Sequence, residues 1–411
     1  MATVVLLGTL DTKGTEYGFL RDRLREHGVD VVLVDAGVLG EPKVEPDVSR
    51  QDVARAADAD VDELVSVGDR GAAITTMARG AGEVVRRLHA EGRLDGVLGL
   101  GGSGGSSLVT HAMRELPVGV PKLMVSTMAS GDTRPYVGAV DVTMMYSVVD
   151  IAGINQLSSR ILSNAAAAVA GMATAEAPQA ADGKPFVGAT MFGVTTPCVD
   201  AARQRLEEFG YETLVFHATG TGGQSMEALV RDGFITAVLD ITTTELADDL
   251  VGGVLSAGPN RLEAAGEVGI PQVVSLGALD MVNFGPMDSV PRRFRDRNLY
   301  EHNPTVTLMR TTADECAELG HRIARKLNAA TGPVILFVPL QGVSLIATEG
   351  QPFHDPAADE ALVGALRESL DQGVEVRELD THINDPVFAR EMADALHEHH
   401  QAWLRDQEVA P

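Results

Sequence analysis

The residues best suited to chemistry in this sequence lie in glycine-rich turns that follow apolar runs. Residues 98–108 read LGLGGSGGSSL, between a predicted strand over 94–100 and a predicted helix reaching about Glu115. Glycines let the backbone approach a ligand closely, and the N-terminus of the following helix offers free N–H groups and partial positive charge. Ser103, Ser106 and Ser107 add hydroxyl donors for phosphate oxygens. The Walker A spacing is absent. Gly99, Gly101 and Gly104 match a dinucleotide fingerprint, but the run carries more glycines than that fingerprint needs. The loop Gly101, Gly102, Ser103, Gly104, Gly105 and Ser106 is therefore predicted as an anion site without a named nucleotide.

A second loop, GTLDTKG over 8–14, ends the first predicted strand on the same sheet edge, where open α/β sheets bind ligands. There Lys13 can neutralise phosphate, and Asp11 can hold Mg²⁺ or a ribose hydroxyl. Equally, Asp11 or Thr12 can cap the following helix. Asp35 ends the second strand at the distance of an acidic ribose reader, or makes an Asx turn before Gly37. Arg70 opens a predicted helix and is a further phosphate candidate. Thr127, Ser130, Gly131 and Asp132 bring hydroxyls and a carboxylate to another strand end, suited to an adenine edge, a phosphate or metal-bound water. In the second half His217 precedes another anion-friendly turn, Gly220 to Gly223. Polar residues at strand ends can converge on one edge, so an enzyme reading brings His217, Glu245, Arg261 or His302 toward the phosphates in an interdomain cleft. No ligand pair has a diagnostic metal spacing.

These loops need a scaffold, and short β-branched runs alternating with amphipathic stretches predict one. Two Rossmann-like, open, mostly parallel sheets are expected, each with helices on both faces. The first domain spans 1–173, a polar linker 174–185, and the second domain 186–411. Within the first, strands are predicted over 3–7, 29–34, 94–100, 121–126 and 140–149, with a helix from about Thr15.

Composition bounds the function. The 411 residues carry a formal charge of −25, which argues against a general nucleic-acid surface. That charge favours Mg²⁺ as a partner, and it also suits a high-salt or high-GC proteome. Two cysteines, Cys198 and Cys316, make no disulfide framework. Without a visible signal peptide or a membrane-length apolar run, a cytoplasmic protein is expected.

Many separate motifs in order carry a resemblance. GTLDTKG, GLGGSGGS, STMASGD, MMYSVVDIAGIN, ATGTGGQSME, DITTTELADDLVGG, GPNRLEAA, HNPTVTLMRTT and FVPLQGVS are similar to the Tm-one-like ATP-binding family over nearly the whole chain. The resemblance implies two α/β subdomains, ATP with Mg²⁺ in the N-terminal one, and a homodimer or higher homo-oligomer. It implies nucleotide contacts from Thr9, Asp11, Thr12 and Lys13, from the loop 101–106, and from 127–132. The family's plant member carries a further C-terminal barrel, and its binding of a viral replication protein is a specialised use that is not carried over. Three functions follow as expectations: an ATP-dependent enzyme acting on a small metabolite, an ATP-responsive interaction module, or a metal-dependent hydrolase centred on the second domain.

Overall fold

In the computed structural model, residues 1–176 and 183–409 are described. The chain divides into two units, Met1–Gln179 and Ala180–Pro411. Half of the expected linker, residues 177–182 including Pro178, lies outside the described residues.

The first unit runs β1 (Thr3–Gly8), α1 (Leu10–Glu26), β2 (Asp30–Asp35), α2 (Arg50–Ala56), α3 (Val61–Val67), α4 (Arg70–Ala90), β3 (Gly96–Gly101), α5 (Ser103–Met113), β4 (Lys122–Ser126), α6 (Arg134–Val137), β5 (Thr143–Tyr146) and α7 (Gln156–Thr174). Its sheet has the order β2-β1-β3-β4-β5, and every pairing is parallel. Helices cover both faces, so the strands read as continuous apolar runs. Val4 and Leu6 point into a core with Leu20, Leu24 and Leu162, while Val5 and Leu7 point into the opposite one with Met77, Val84 and Val109. This two-residue alternation lets one strand serve two helical layers.

The second unit repeats the plan. It runs β6 (Phe186–Met191), α8 (Thr196–Glu208), β7 (Glu212–His217), α9 (Thr221–Arg231), β8 (Ile235–Thr242), α10 (Glu245–Val251), α11 (Ala264–Val268), β9 (Gln272–Gly277), β10 (Met281–Phe284), β11 (Leu299–Asn303), β12 (Val306–Arg310), α12 (Ala313–Asn328), β13 (Val334–Pro339), α13 (Pro356–Ser369), β14 (Glu375–Leu379) and α14 (Pro386–Val409). The main sheet, β14-β13-β9-β8-β6-β7, is wholly parallel. Both units are thus doubly wound, as expected. Beside the second sheet stands a small antiparallel one, β10-β12-β11, which the pattern reading missed.

Two local expectations need correction. The strand predicted over 140–149 shrinks to β5, because Val148 takes φ +63° and turns the chain away. Helix α1 begins at Leu10 rather than Thr15, yet Lys13 is non-helical at φ −120°, so one turn precedes a kink and then the main helix.

At the top of the first sheet, β1 and β3 are adjacent while the connections that follow them leave on opposite faces. Tyr17, fully buried, closes the gap between these strands. Its hydroxyl donates to Leu7 O at 2.5 Å and accepts from Leu100 N–H at 3.0 Å. Gly8 has no side chain for this reason, since a Cβ there would stand 1.9 Å from the Tyr17 hydroxyl. Tyr17→Phe strands the Leu100 N–H and should cost roughly 1–3 kcal/mol of folding stability. Urea denaturation reads this, and an unshifted midpoint would refute the role.

Candidate anion site at the switch point of the first sheet

The order 2-1-3-4-5 reverses direction between β1 and β3, and open α/β sheets bind ligands at that point, beyond the strand C-termini. A cavity of about 330 Å³ lies there. Thr9, Asp11, Thr12 and Lys13 line it from the β1–α1 turn, and Gly101 to Gly105 from the β3–α5 turn. The two loops singled out in the sequence therefore share one cavity.

Each wall has its own chemistry. Helix α5 starts behind Gly102, whose lack of a side chain leaves the first-turn N–H groups uncapped. The first bond back into that turn is from Ser106 N–H to Gly102 O at 2.8 Å, so the N–H groups of Ser103, Gly104 and Gly105 have no intrahelical acceptor. Gly101 must be glycine for this turn, because a Cβ would come within 2.9 Å of Gly105 Cα. Beside it stands the Arg70 guanidinium, Nη2 lying 4.0 Å from where a Gly104 Cβ would be. Among the described residues Arg70 has no ion-pair partner. The Lys13 ammonium donates to Ile151 O and likewise lacks a carboxylate partner. Ala36, Val38, Leu39, Ile74, Met77 and Leu108 form an apolar wall, and Asp150 sits exposed on the rim.

The remaining predicted residues serve the frame. Asp11 is buried and accepts from Leu39 N–H at 2.7 Å and Gly40 N–H at 3.2 Å, clamping the loop after β2 over the cavity. Thr9 and Thr12 share a 2.7 Å hydroxyl contact. Asp35 does not reach the cavity: it is fully buried, and its Oδ1 accepts from Leu10 and Gly37 N–H, the Asx turn. Burial pushes its carboxyl above the usual range, with the nearby Asp11 charge adding to the effect. Ser106 is also fully buried, its hydroxyl 2.6 Å from that of Ser126, and so is spent on joining α5 to β4. Thr127, Ser130, Gly131 and Asp132 lie outside the cavity lining, and Asp132 is exposed and paired with Arg134 at 2.7 Å.

Two lining features escaped the sequence reading. Asp150 lies in a segment bound to α1, since Lys13 holds Ile151 O while Glu16 accepts from Gly153 N–H at 2.6 Å. The apolar side chains of the wall come from three separate elements. Only the fold brings them together.

In the second unit the glycine turn at 220–223 has an anion already, and it is internal. The Glu245 carboxylate accepts from Gly220 N–H at 2.7 Å and Gly223 N–H at 3.1 Å. Arg261 then bonds Glu245 at 2.6 Å, Asp240 in bidentate fashion at 2.5 and 2.7 Å, and Glu227 at 3.4 Å. Glu227 further accepts from Leu262 and Ala264 N–H. Arg261 and Glu245, predicted as catalytic, are together but sealed from solvent, at 1% and 0% exposure. Burial pushes the Glu245 carboxyl up, against the pull of Arg261. His217 and His302 are exposed on β7 and β11, in two different sheets. The cavity of about 480 Å³ in this unit carries Arg322 and Lys326, both paired with carboxylates of the same lining, namely Asp249, Glu318 and Glu263. Among the described residues no group of three or more His, Cys, Asp or Glu is placed to hold a metal ion, and no helix is long and apolar enough to cross a membrane.

Two other buried carboxyls give this unit a pH dependence. Burial raises Asp248 to about 7 and Asp280 to about 6. Folded Asp248 thus keeps a proton at pH values where the unfolded chain has lost it, so its contribution is present below about pH 4 and is lost as pH rises toward 7. His400, lowered chiefly by burial, acts in the opposite sense, so comparison with a variant isolates the carboxyl. Between pH 5 and 7 wild type should lose stability relative to Asp248→Asn by on the order of 1 kcal/mol per pH unit. Parallel urea-midpoint profiles would rule this out.

Residues 2–178 match the N-terminal domain, and residues 184–400 the C-terminal domain, of the uncharacterised protein family UPF0261. The chain belongs to that family. A UPF0261 protein of Clostridium tetani is 53% identical over 394 residues, covering 96% of this chain and 98% of its own length. A Mesorhizobium japonicum member is 47% identical over 400 residues, covering 96% of this chain and 99% of its own. The tomato ToMV resistance protein Tm-1(GCR237) is 43% identical over 415 residues, covering 96% of this chain and 55% of the tomato protein. The resemblance drawn from the motifs is therefore correct at the level of the family. UPF0261 membership also accounts for its reach, since both domains match in order.

Proposed function

We propose that the first unit binds ATP with Mg²⁺ in the cavity between the β1–α1 and β3–α5 turns. The observation that carries this reading is the division of one cavity into a cationic, N–H-rich end and an apolar wall. Lys13, Arg70 and the first-turn N–H groups of α5 suit phosphate oxygens, and the apolar side chains suit a flat ring. In a chain of net charge −25, two cations without carboxylate partners in one cavity make a local exception to an acidic protein.

The donor set also fits Mg²⁺, which takes one or two carboxylate oxygens and completes its shell with phosphate and water. Asp150 is on the rim with only one oxygen engaged, by Ile151 N–H at 2.8 Å, and the Thr9 and Thr12 hydroxyls lie on the same lining. The ion would supply charge neutralisation for the phosphates.

Calorimetric titration with MgATP tests the reading, with Gly104→Leu as the steric block. A side chain at 104 enters the cavity beside Ile74 and Arg70 without requiring an unusual backbone angle. Wild type should bind, and the variant should lose at least tenfold in affinity at an unchanged unfolding midpoint. An absence of MgATP binding by wild type would overturn the reading. Phosphate release by wild type marks an ATP-consuming enzyme; binding without release marks an ATP-responsive module.

A further inference from the structure

We infer that Glu16 is the positioning residue for the metal side of this site, acting through Gly153 to hold Asp150 on the cavity rim. The inference rests on the nucleotide reading above and concerns how the Mg²⁺ ligand is kept in place. It starts from a carboxylate with an unusual setting. Glu16 is 3% exposed, yet among the described residues no cation pairs with it, and its Oε1 accepts from Gly153 N–H at 2.6 Å. Glutamate is seldom buried without a counter-ion, since burial strips the charge of its hydration.

Gly153 belongs to the segment that carries Asp150. That segment leaves β5 through Val148, whose φ of +63° is an outlier for a β-branched residue and persists only where the surroundings enforce it. Helix α1 supplies two of the restraints, because the Lys13 ammonium holds Ile151 O and Glu16 holds Gly153 N–H. Ile151 is itself buried in the core with Leu20 and Leu162, and Ser158 of α7 donates to Gly153 O at 3.3 Å. Asp150 is thus fixed from its C-terminal side, and its Oδ1 takes the Ile151 N–H at 2.8 Å. The two α1 anchors differ once nucleotide binds. The Lys13 ammonium is then shared with phosphate, whereas Glu16, an anion, stays on Gly153. A ligating carboxylate needs such outer support to keep its geometry. The phosphate-binding groups, Lys13, Arg70 and the first-turn N–H groups of α5, are not carried by the segment that Glu16 holds. Loss of Glu16 should therefore show only when Mg²⁺ is present.

The full-length protein is titrated by calorimetry with MgATP and, separately, with ATP in EDTA. Glu16→Ala should weaken MgATP roughly tenfold, the lower end for removing the outer support of a metal ligand, and leave metal-free ATP where it was. Glu16→Gln keeps an acceptor for Gly153 N–H and should bind MgATP as wild type does. Asp150→Asn, on the exposed rim, should repeat the Glu16→Ala pattern, and the two changes together should add nothing to Asp150→Asn alone. Hydrogen exchange of the ligand-free protein gives a second readout. The Gly153 N–H should exchange faster in Glu16→Ala and at the wild-type rate in Glu16→Gln. Unchanged MgATP affinity in Glu16→Ala, or equal weakening of MgATP and metal-free ATP, would reduce Glu16 to a structural role. Losses that multiply in the double variant would detach it from Asp150. Each of these results overturns the inference while the nucleotide site stands. No MgATP binding by wild type would overturn the site itself, and the inference with it.

Discussion

Replacing Arg261 with methionine should destabilise the second unit by about 3–5 kcal/mol or more, the range for breaking a buried ion pair on one side. The guanidinium contacts three buried carboxylates, Glu227, Asp240 and Glu245, and among the described residues only Glu227 has a second cation, Arg231 at 3.9 Å. Methionine fills much of the volume but leaves Asp240 and Glu245 without a counter-ion, and Glu227 with only the longer contact to Arg231. Each carboxylate must then bind a proton or admit water, and the backbone N–H groups held by Glu227 and Glu245 loosen with them. Arg261→Lys should recover little, since an ammonium cannot reproduce the bidentate bond to Asp240 while reaching Glu245. Adding Asp240→Asn or Glu245→Gln to the methionine variant should restore part of the loss by removing one stranded charge. Urea unfolding of the set decides it. A midpoint unchanged in Arg261→Met would show that the network does not hold the fold, and would return Arg261 to consideration as a functional group.

The second large effect is expected in the first unit. Arg70→Ala should lower MgATP affinity roughly ten- to a hundred-fold, the worth of a charge-assisted hydrogen bond of about 1.5–3 kcal/mol. Arg70 is exposed and makes no ion pair among the described residues, so the change should leave the unfolding midpoint where it was. Lys13→Ala should weaken binding comparably but also free the Ile151 carbonyl, so a smaller stability loss should accompany it. The double variant should approach the product of the two factors if the cations hold different phosphate oxygens. Added salt should weaken wild-type binding more than that of the double variant, because screening acts on the charges that remain. Unchanged affinity in both single variants would remove the cationic end from the site.

Local pattern and global assembly contributed differently to what is known of this chain. Both doubly wound sheets were legible in the sequence, because apolar runs bounded by glycine turns are short-range signals that βαβ folding must satisfy. The loops at 8–14 and 101–105 were legible for the same reason, as was their shared edge. Their ligand sense was not. The turn at 220–223 looks as anion-ready as that at 101–105, yet Glu245 fills it from the following strand-to-helix junction. Spacing within a turn cannot report an anion delivered by a distant part of the chain. Asp35 and Ser106 carry the right chemistry at plausible spacing, but the sheet seals both inside, whereas Asp150 and the apolar wall acquire meaning only when four elements meet. The sequence by itself determined where phosphate-compatible backbone would lie. The tertiary structure decided which of those turns stays open, because occupancy of a free N–H depends on long-range packing that no local window contains.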